Sequence, residues 1–430
     1  MISLNNVKNV HFVGIGGISM SGLAQILLES GYKVTGSDIN DSNLISKLRK
    51  NGAEVTIPHN PIIVETAELV VYTAAVKQDN CEIIRAKELG IPVIDRATFL
   101  GMIMKDYNYG IAIAGCHGKT TTTSMISIII KNAGMDPTVL VGGEIEAIDG
   151  NVRVGKSEYF VTEACEYCES FLKFYPFVAV ILNIERDHLD YYKDLEHIIS
   201  SFRKFAKLVP ADGALVVCSD NENTLNVSKD VECKVLTYGI KNKADFYARK
   251  IKYDRLGHPS FEVMHRDKKL GTFSLNIPGE HNVLNALAAI AVAYNAGIPM
   301  DTVKKSLKEF KGTYRRFDIK GVRNNITIVD DYAHHPTEIK ATLRAAKQFP
   351  HQKIWCVFQP HTYTRTKTLF KEFSEAFYDA DNVIITDIYA AREKDTGLVK
   401  PSELVDSINK YSANAVYRND FRCIANLIAH

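Results

Sequence analysis

Short apolar runs alternate with helical patterns through the first hundred residues of the chain. Residues 10–13, 33–37 and 69–73 are rich in β-branched and apolar side chains and predict strands, whereas 21–30 and 82–89 show helical spacing. This alternation is typical of a parallel, doubly wound α/β sheet. It predicts a Rossmann-like N-terminal domain.

The same pattern restarts twice further along the chain. A buried strand at 110–114 is followed by a glycine-rich turn and a long helix at 120–133, and strands at 178–182 and 214–218 complete a second parallel sheet. Residues 244–275 alternate apolar and polar positions instead, which predicts an antiparallel patch on the edge of that sheet. Strands at 326–329, 354–358 and 383–386 then indicate a third, Rossmann-like domain. The predicted domains are 1–107, 108–312 and 313–430.

Composition and charge exclude several classes of protein. The 430 residues carry 52 Lys and Arg against 50 Asp and Glu, so no basic excess exists to hold a nucleic acid. The N-terminus has no signal-peptide pattern, and no apolar run is long enough to cross a bilayer. Eight scattered cysteines fit a reducing compartment. We therefore expect a cytoplasmic protein without membrane insertion.

The strongest chemical motif stands between the strand at 110–114 and the helix that follows it. A glycine turn at a helix N-terminus, followed by Lys and Thr, supplies converging N–H groups, a cation for the β- and γ-phosphates, and a hydroxyl for Mg²⁺. The spacing is GxxGKT and is shorter than the usual phosphate loop. It predicts an ATP site formed by Gly115, Cys116, His117, Gly118, Lys119, Thr120 and Thr121.

Acidic residues follow two other strands of the same domain. Glu163 and Glu166 come after the run 159–162, and His188 lies among carboxylates just after 178–182. Ligands of α/β sheets bind at this carboxyl edge, and Mg²⁺ needs few protein carboxylates because phosphates and waters complete its shell. We predict that one of these two glutamates holds a metal ion beside Thr120 and that His188 binds a second metal or positions the substrate.

The first strand also leads into a glycine-rich turn at 14–22, but Ser19 occupies the third glycine position of the GxGxxG pattern. Asp38, at the end of the second strand, could grip a ribose hydroxyl. The turn indicates diphosphate binding and does not require NAD.

Polar clusters in the third domain leave more than one interpretation open. Arg315 and Arg316 at the domain junction could clamp a phosphate on closure, or simply form an interdomain salt bridge. His361 and Arg365 follow the strand at 354–358 and could bind a ligand or be solvated charges at a helix N-terminus.

Seven segments taken together resemble the Mur ligases of peptidoglycan synthesis. The resemblance covers nearly the whole chain and rests on GIGGISMSGLA (14–24), GCHGKTTTTSM (115–125), EACEYCESFL (163–172), NIERDHLDYY (183–192), GEHNVLNALAAIAVA (279–293), DDYAHHPTEI (330–339) and FQPHTYTRT (358–366). It implies an ATP-dependent ligase that activates a carboxylate as an acyl phosphate and joins it to an amine.

The resemblance also implies roles for individual residues. Lys119 would hold the ATP phosphates, Thr120 and Glu166 one Mg²⁺, and His188 a second metal, with Mn²⁺ as a possible replacement. Asn282 and Asn285 would face adenine, Arg316 the nucleotide phosphates and Asp331 the ribose. His334 and Arg365 would contact the reacting carboxylate and the incoming amino acid. The UDP part of UDP-N-acetylmuramate would lie in the first domain against Gly14, Gly16, Gly17, Ser19, Met20, Ser21, Asp38, Thr73, Ala74 and Ala75.

The implied reaction joins L-alanine to UDP-N-acetylmuramate, by a monomer or weak homodimer. A sister ligase that attaches a preformed peptide is the nearest alternative; an NAD-dependent oxidoreductase and an ATPase switch are more distant ones. Two departures from the family stand out. Relatives continue past His430 through a final strand and helix, so the third domain is expected to be truncated and to lack an edge element. Cys116 stands where relatives carry Thr, which suggests that it makes ATP binding thiol-sensitive together with Cys165 and Cys168.

Overall fold

The computed structural model describes residues 4–391, 393–395, 397–411 and 414–429. The N-terminal sheet is parallel, with the strand order β3-β2-β1-β4-β5. Its strands are β1 (Asn9–Val13), β2 (Lys33–Ser37), β3 (Glu54–Thr56), β4 (Leu69–Tyr72) and β5 (Val93–Asp95). Its helices are α1 (Ile18–Glu29), α2 (Asn43–Lys50), α3 (Cys81–Glu88) and α4 (Arg96–Met104). β1 is the central strand of this sheet. The glycine-rich turn directly follows β1 and therefore lies at the carboxyl edge, as the sequence predicted.

The central sheet has ten strands in the order β15-β14-β13-β12-β11-β10-β6-β9-β7-β8. The inner strands are parallel, while β14 and β15 at one edge and β8 at the other are antiparallel. The predicted antiparallel patch is therefore confirmed. The strands are β6 (Tyr109–Ala114), β7 (Thr138–Ile145), β8 (Gly150–Arg153), β9 (Tyr159–Glu163), β10 (Val178–Ile181), β11 (Ala214–Cys218), β12 (Lys234–Gly239), β13 (Phe246–Tyr253), β14 (Pro259–His265) and β15 (Lys268–Ser274).

Helix α5 lies against this sheet and is buried along almost its whole length, from Thr120 to Ile130. Two of its buried polar side chains donate back to helix carbonyls, as Ser124 does to Thr120, whereas the hydroxyls of Thr122 and Thr123 have no hydrogen-bond partner among the described residues. The helices of this domain are α5 (Lys119–Asn132), α6 (Leu195–Ala206), α7 (Glu222–Val227), α8 (Glu280–Asn295) and α9 (Met300–Glu309). A rigid, buried α5 fixes the loop at its N-terminus.

The strands of the third domain fall into two sheets. An antiparallel pair, β16 (Asp318–Arg323) and β17 (Ile326–Asp330), stands apart from the parallel sheet of β18 (Trp355–Phe358), β19 (Asn382–Ile385) and β20 (Asn414–Tyr417). Apolar side chains on both are exposed, including Ile328 and Val357. The expected absence of a strand or helix at the edge of the third domain remains a prediction. Its helices are α10 (Pro336–Ala346), α11 (Tyr363–Thr368), α12 (Phe370–Ser374), α13 (Pro401–Ile408) and α14 (Phe421–Ala429).

The first two domains share a core. Leu23 on α1 and Leu140 on β7 belong to one cluster of buried apolar side chains. A side chain on Gly22 would collide with Leu140 and Asn151. Close packing therefore explains why the glycine-rich turn at 14–22 ends in glycine. Among the described residues, no helix combines the length and the apolar character needed to span a bilayer.

Candidate active site

The phosphate-binding motif has the geometry that its sequence predicted. It joins the end of β6 to the first residue of α5, so the free N–H groups of the helix face the loop. Gly118 has φ +82°, and a Cβ at this position would lie 2.6 Å from Oδ1 of Asn285. Both the backbone conformation and the space therefore require glycine.

A cavity of about 380 Å³ opens beside this loop, between the central and third domains. Eight of the eleven residues predicted to bind ATP line it: His117, Gly118, Thr120, Thr121, Asn282, Asn285, Arg316 and Asp331. Gly115, Cys116 and Lys119 do not. The structure thus brings residues from three distant stretches of sequence to one pocket of ligand size.

Lys119 is turned towards the protein. Its ammonium lies 3.1 Å from Oε2 and 3.2 Å from Oε1 of Glu166, and it also donates to the carbonyl oxygens of Gly115 and Cys116. Burial works to lower the pKa of Lys119, but the charge of Glu166 outweighs it and the pKa is raised. Lys119 is therefore a cation at any physiological pH, paired with a carboxylate that is 1% exposed.

Glu166 is also the centre of an acidic cluster with Asp187 and His188. One donor atom from each lies within 4.8 Å of the others, and Nε2 of His188 is 3.6 Å from Oε1 of Glu166. Two carboxylates and an imidazole suit Mg²⁺ or Mn²⁺. The donor set therefore fits a divalent cation, and metal binding by Glu166 and His188 stays a prediction.

Arg365 joins the third domain to this cluster. Its Nη2 donates to Oδ1 of Asp187 at 2.8 Å and its Nε to the same oxygen at 3.1 Å. Burial works to raise the pKa of Asp187, but the charges of His188 and Arg365 lower it well below its usual range. His188 and Arg365 line a small cavity of about 50 Å³ at this junction. His334 does not line it, although its ring centre lies 5.7 Å from that of His361, which does.

Glu338 on α10 forms the second junction between the same domains. Its Oε1 lies 3.4 Å from Nδ1 of His117 and 3.5 Å from Nη1 of Arg316. Burial alone would raise the pKa of Glu338, but His117, His334 and Arg316 hold it well below its usual value. The ionised Glu338 therefore orients one residue of the phosphate loop and one arginine at the cavity wall.

In the first domain, the glycine turn and Asp38 form one unit. Oδ2 of Asp38 accepts the N–H of Gly16 at 2.8 Å, and Gly14 has φ +82° with Thr73 too close to admit a side chain. Ser19, in the first turn of α1, accepts a hydrogen bond from Arg96 at 3.0 Å. An arginine and a helix N-terminus meet here, which suits a diphosphate.

The other predicted residues of the first domain contribute differently. Met20 is buried in the core, and Ser21 donates its hydroxyl to the carbonyl of Ile18 and its N–H to that of Gly17. Ala74 and Ala75 are exposed just after β4. In this structure Met20 is thus a core residue, 1% exposed, while Ser21 supports the turn.

Three family models match consecutive parts of the chain. The Mur ligase family catalytic domain matches residues 9–108, the Mur ligase middle domain 113–293, and the Mur ligase glutamate ligase domain 315–429. The chain belongs to the Mur ligase family. This confirms the resemblance and the three-domain α/β fold.

Similar Mur ligases include the UDP-N-acetylmuramate--L-alanine ligase of Caldanaerobacter subterraneus subsp. tengcongensis, 60% identical over 98% of this chain and 92% of the relative. Among solved structures, the UDP-N-acetylmuramate-alanine ligase of Thermotoga maritima is 32% identical with a TM-score of 0.79, covering 95% of this chain and 90% of that one. A murein peptide ligase from Psychrobacter arcticus is 27% identical with a TM-score of 0.73, covering 98% of this chain and 92% of that one.

Several residues of this Mur ligase site were missed by sequence reasoning. Arg96, Glu185 and Glu338 each contact a residue of a predicted site from a distant part of the chain. Their positions carried a signal that could have found them, since Arg96 directly follows β5, and Glu185 and Glu338 lie within two of the segments that carried the resemblance.

Two of the three thiols near this site are shielded, which argues against the thiol sensitivity that the sequence suggested. Cys116 is buried, and its sulfur contacts the backbone of Glu185. Burial raises the pKa of Cys116 well above its usual value and that of Cys165 to about 11. Only Cys168 of the three is exposed. Thiolates at Cys116 and Cys165 are therefore scarce at neutral pH.

Proposed function

We propose that the chain is an ATP-dependent ligase that joins L-alanine to UDP-N-acetylmuramate, giving UDP-N-acetylmuramoyl-L-alanine, ADP and phosphate. The observation that carries the proposal is the cavity of about 380 Å³ lined by the phosphate loop, the two asparagines of α8 and residues of the third domain. The identity to alanine ligases along nearly the whole chain supports the choice of substrates.

ATP would occupy this cavity. Thr120 and Thr121 at the start of α5 would meet the phosphates, and Asn282 and Asn285 the base. Arg316 would reach the phosphates and Asp331 the ribose from the third domain. Lys119 would exchange the carboxylate of Glu166 for phosphate oxygens, a change of anionic partner that leaves its charge compensated.

Glu166, Asp187 and His188 would hold divalent metal next to the phosphates, with Thr120 as a further ligand. Two Mg²⁺ ions, replaceable by Mn²⁺, are proposed from the family's chemistry. Bound metal would supply charge neutralisation when two anions are brought together. Freeing Glu166 from Lys119 and binding the cation are then coupled, because both use the same carboxylate.

The glycine turn of the first domain would bind the UDP moiety. The N-terminus of α1 and the guanidinium of Arg96 would face the diphosphate, with Asp38 fixing the turn through Gly16. A Cβ at Gly17 would make only ordinary contacts, 3.7 Å from the carbonyl oxygen of Gly14 and 3.9 Å from Met20, so the missing side chain would leave room for a ligand against the backbone. The lactyl carboxylate would then extend towards the central domain.

The reaction would proceed in two steps. The lactyl carboxylate attacks the γ-phosphorus of ATP, and ADP leaves, so that an acyl phosphate forms. The free amine of alanine attacks the acyl carbon, and the tetrahedral intermediate expels phosphate and loses a proton. Arg365 and His334 would orient the carboxylate and the amino acid, and contact between the second and third domains would keep water from the acyl phosphate.

We also propose that the reaction takes place in the cytoplasm, where ATP is available, and the eight free cysteines fit a reducing compartment. The predicted monomer or weak homodimer remains a proposal that gel filtration would test.

Phosphate release with UDP-N-acetylmuramate and each amino acid in turn tests the function. We expect release with L-alanine that depends on both substrates. Release with a preformed peptide and none with alanine would identify a peptide-adding ligase instead. Release without either substrate would indicate an ATPase.

A further inference from the structure

A second cluster of metal-binding side chains lies outside the acidic site. His117 comes from the phosphate loop, Glu185 from the segment after β10, and His335 from the residue before α10. One nitrogen or oxygen of each lies within 4.8 Å of the others. Two domains contribute to this cluster, and its rings are close, with the centres of His117 and His335 4.5 Å apart.

The ring of His117 is oriented like that of a metal ligand. Its Nδ1 faces Oε1 of Glu338 at 3.4 Å, and its Nε2 faces Oε2 of Glu185 at 3.4 Å. Nε2 is fully buried and has no hydrogen-bond partner among the described residues. A carboxylate behind one ring nitrogen, with the second nitrogen directed at another potential ligand, is the arrangement found where histidine binds a metal ion.

In His335, too, one ring nitrogen is held by the protein and the other faces the cluster. Its Nε2–H donates to the carbonyl of Arg186 at 3.1 Å, which leaves the lone pair on Nδ1. Nδ1 lies 4.0 Å from Oε2 of Glu185 and accepts only a long bond of 3.3 Å from the N–H of Thr337. This lone pair faces the cluster, and a metal ion would take it in place of the N–H of Thr337.

Glu185 is held in place as well. Its Oε2 accepts a hydrogen bond of 2.7 Å from the hydroxyl of Thr337. Each of the three donor groups thus has a second contact that fixes its orientation. In tetrahedral zinc sites, bond lengths near ~2.0 Å place ligand atoms roughly 3.3 Å apart, so the 3.4 Å and 4.0 Å separations need only small shifts.

We propose that His117, Glu185 and His335 form a binding site for a zinc-class divalent ion, separate from the Glu166–Asp187–His188 cluster. Two imidazole nitrogens and one carboxylate oxygen favour Zn²⁺ or Co²⁺ over the harder Mg²⁺. His117 and Glu185 also line the large cavity, so water can fill the remaining coordination position. Binding displaces the proton on Nε2 of His117, while Nδ1–H stays with Glu338.

Such an ion would tie the third domain to the phosphate loop. Glu185 and His117 belong to the central domain and His335 to the third, so the bound ion adds a link where the domains now meet through Glu338 and Arg365. It would stabilise this arrangement against thermal unfolding and slow the opening that turnover requires.

Cobalt binding tests the site in the full-length protein. The chain is titrated with Co²⁺ in a large excess of Mg²⁺, which occupies the acidic cluster, and visible absorption and bound metal are measured. His335→Asn keeps a residue that can cap α10 and removes the ligand nitrogen. Glu185→Gln removes the carboxylate. The control is His351→Asn, a histidine of the same domain in an exposed loop.

We expect one Co²⁺ per chain in the wild type and in His351→Asn, with the visible bands of low coordination number. Affinity should fall at least about tenfold in His335→Asn and in Glu185→Gln, and Zn²⁺ should raise the melting temperature of the wild type but not of these variants. Unchanged Co²⁺ binding in both would overturn the proposal. So would a loss in His188→Gln with full binding in His335→Asn, because the ion would then sit in the acidic cluster.

Discussion

The ammonium of Lys119 lies 3.1 Å from Oε2 of Glu166. The cation of the phosphate loop and the carboxylate proposed for the metal are thus each other's partners in this structure. A ligand that approaches either group must compete with this pair. Nucleotide and metal binding should therefore depend on each other.

Replacing Lys119 by Met tests this pair. We expect phosphate release to fall by a factor of at least ~10², with binding of UDP-N-acetylmuramate retained because that ligand is assigned to the first domain. The single variant should also lose about 3 kcal/mol of stability, since the buried Glu166 loses its ammonium partner. Lys131→Met, on the same helix, is the control for both measurements.

The double variant Lys119→Met with Glu166→Gln separates the two effects. Its melting temperature should recover towards that of the wild type because the unpaired charge is gone, while phosphate release stays lost. If the single variant keeps full turnover, or loses UDP-N-acetylmuramate binding along with it, the assignment of the domains is mistaken.

Gly118→Ala tests the geometry of the loop. The added Cβ meets Asn285 at 2.6 Å and the backbone has φ +82°, so the loop or Asn285 must move. We expect ATP affinity, measured by calorimetry, to fall at least about tenfold. Gly134→Ala is a matched control, since Gly134 has φ +77° with nothing within 4 Å of the new Cβ. It should cost only about 1 kcal/mol of stability and leave affinity unchanged; equal losses of affinity would point to backbone strain elsewhere.

Arg365→Lys tests the contact across the second and third domains. Lysine keeps the charge but cannot reproduce two N–H bonds to one oxygen of Asp187. We expect kcat/KM for alanine to fall by about one to two orders of magnitude, and steady-state kinetics with varied alanine measure it. The exposed Arg344→Lys on α10 should leave it unchanged. A similar kcat/KM in Arg365→Lys would show that the pair is only structural.

The alkylation of thiols tests the effect of burial. Iodoacetamide at pH 8 should modify the exposed Cys81, Cys168 and Cys423 long before Cys116, because the raised pKa of Cys116 keeps its thiolate scarce. Peptide mass spectrometry over time measures each site. Rapid modification of Cys116 that ATP prevents would restore the interpretation suggested by the sequence.

A buried carboxylate in the first domain gives a pH-dependent prediction. Glu82 is 0% exposed and accepts hydrogen bonds from Ser37 and from the N–H of Asn60. Burial works to raise its pKa, but His11, Ser37 and Asn60 bring it below 4.5. A lowered folded pKa stabilises the fold above the unfolded pKa, and this stability is lost as pH falls through the folded value. Glu82→Gln should cost roughly 2 kcal/mol at pH 7 and flatten the decline in melting temperature below pH 4.5. An equally steep decline in the variant would assign that loss to other carboxylates.

The sequence by itself determined many of the elements and the chemistry of the phosphate loop. The strand β2, the helix α5 and the turn at Gly118 follow from periodicity and glycine spacing, which are properties of neighbouring residues. The phosphate loop is therefore recognisable without any tertiary contact. Only the tertiary structure decided which loops meet. Glu338 reaches His117, and Arg96 reaches Ser19, because sheet order and domain packing bring together residues far apart in the chain. The tertiary structure also decided the inward orientation of Lys119, because the carboxylate of Glu166 that attracts it follows a different strand.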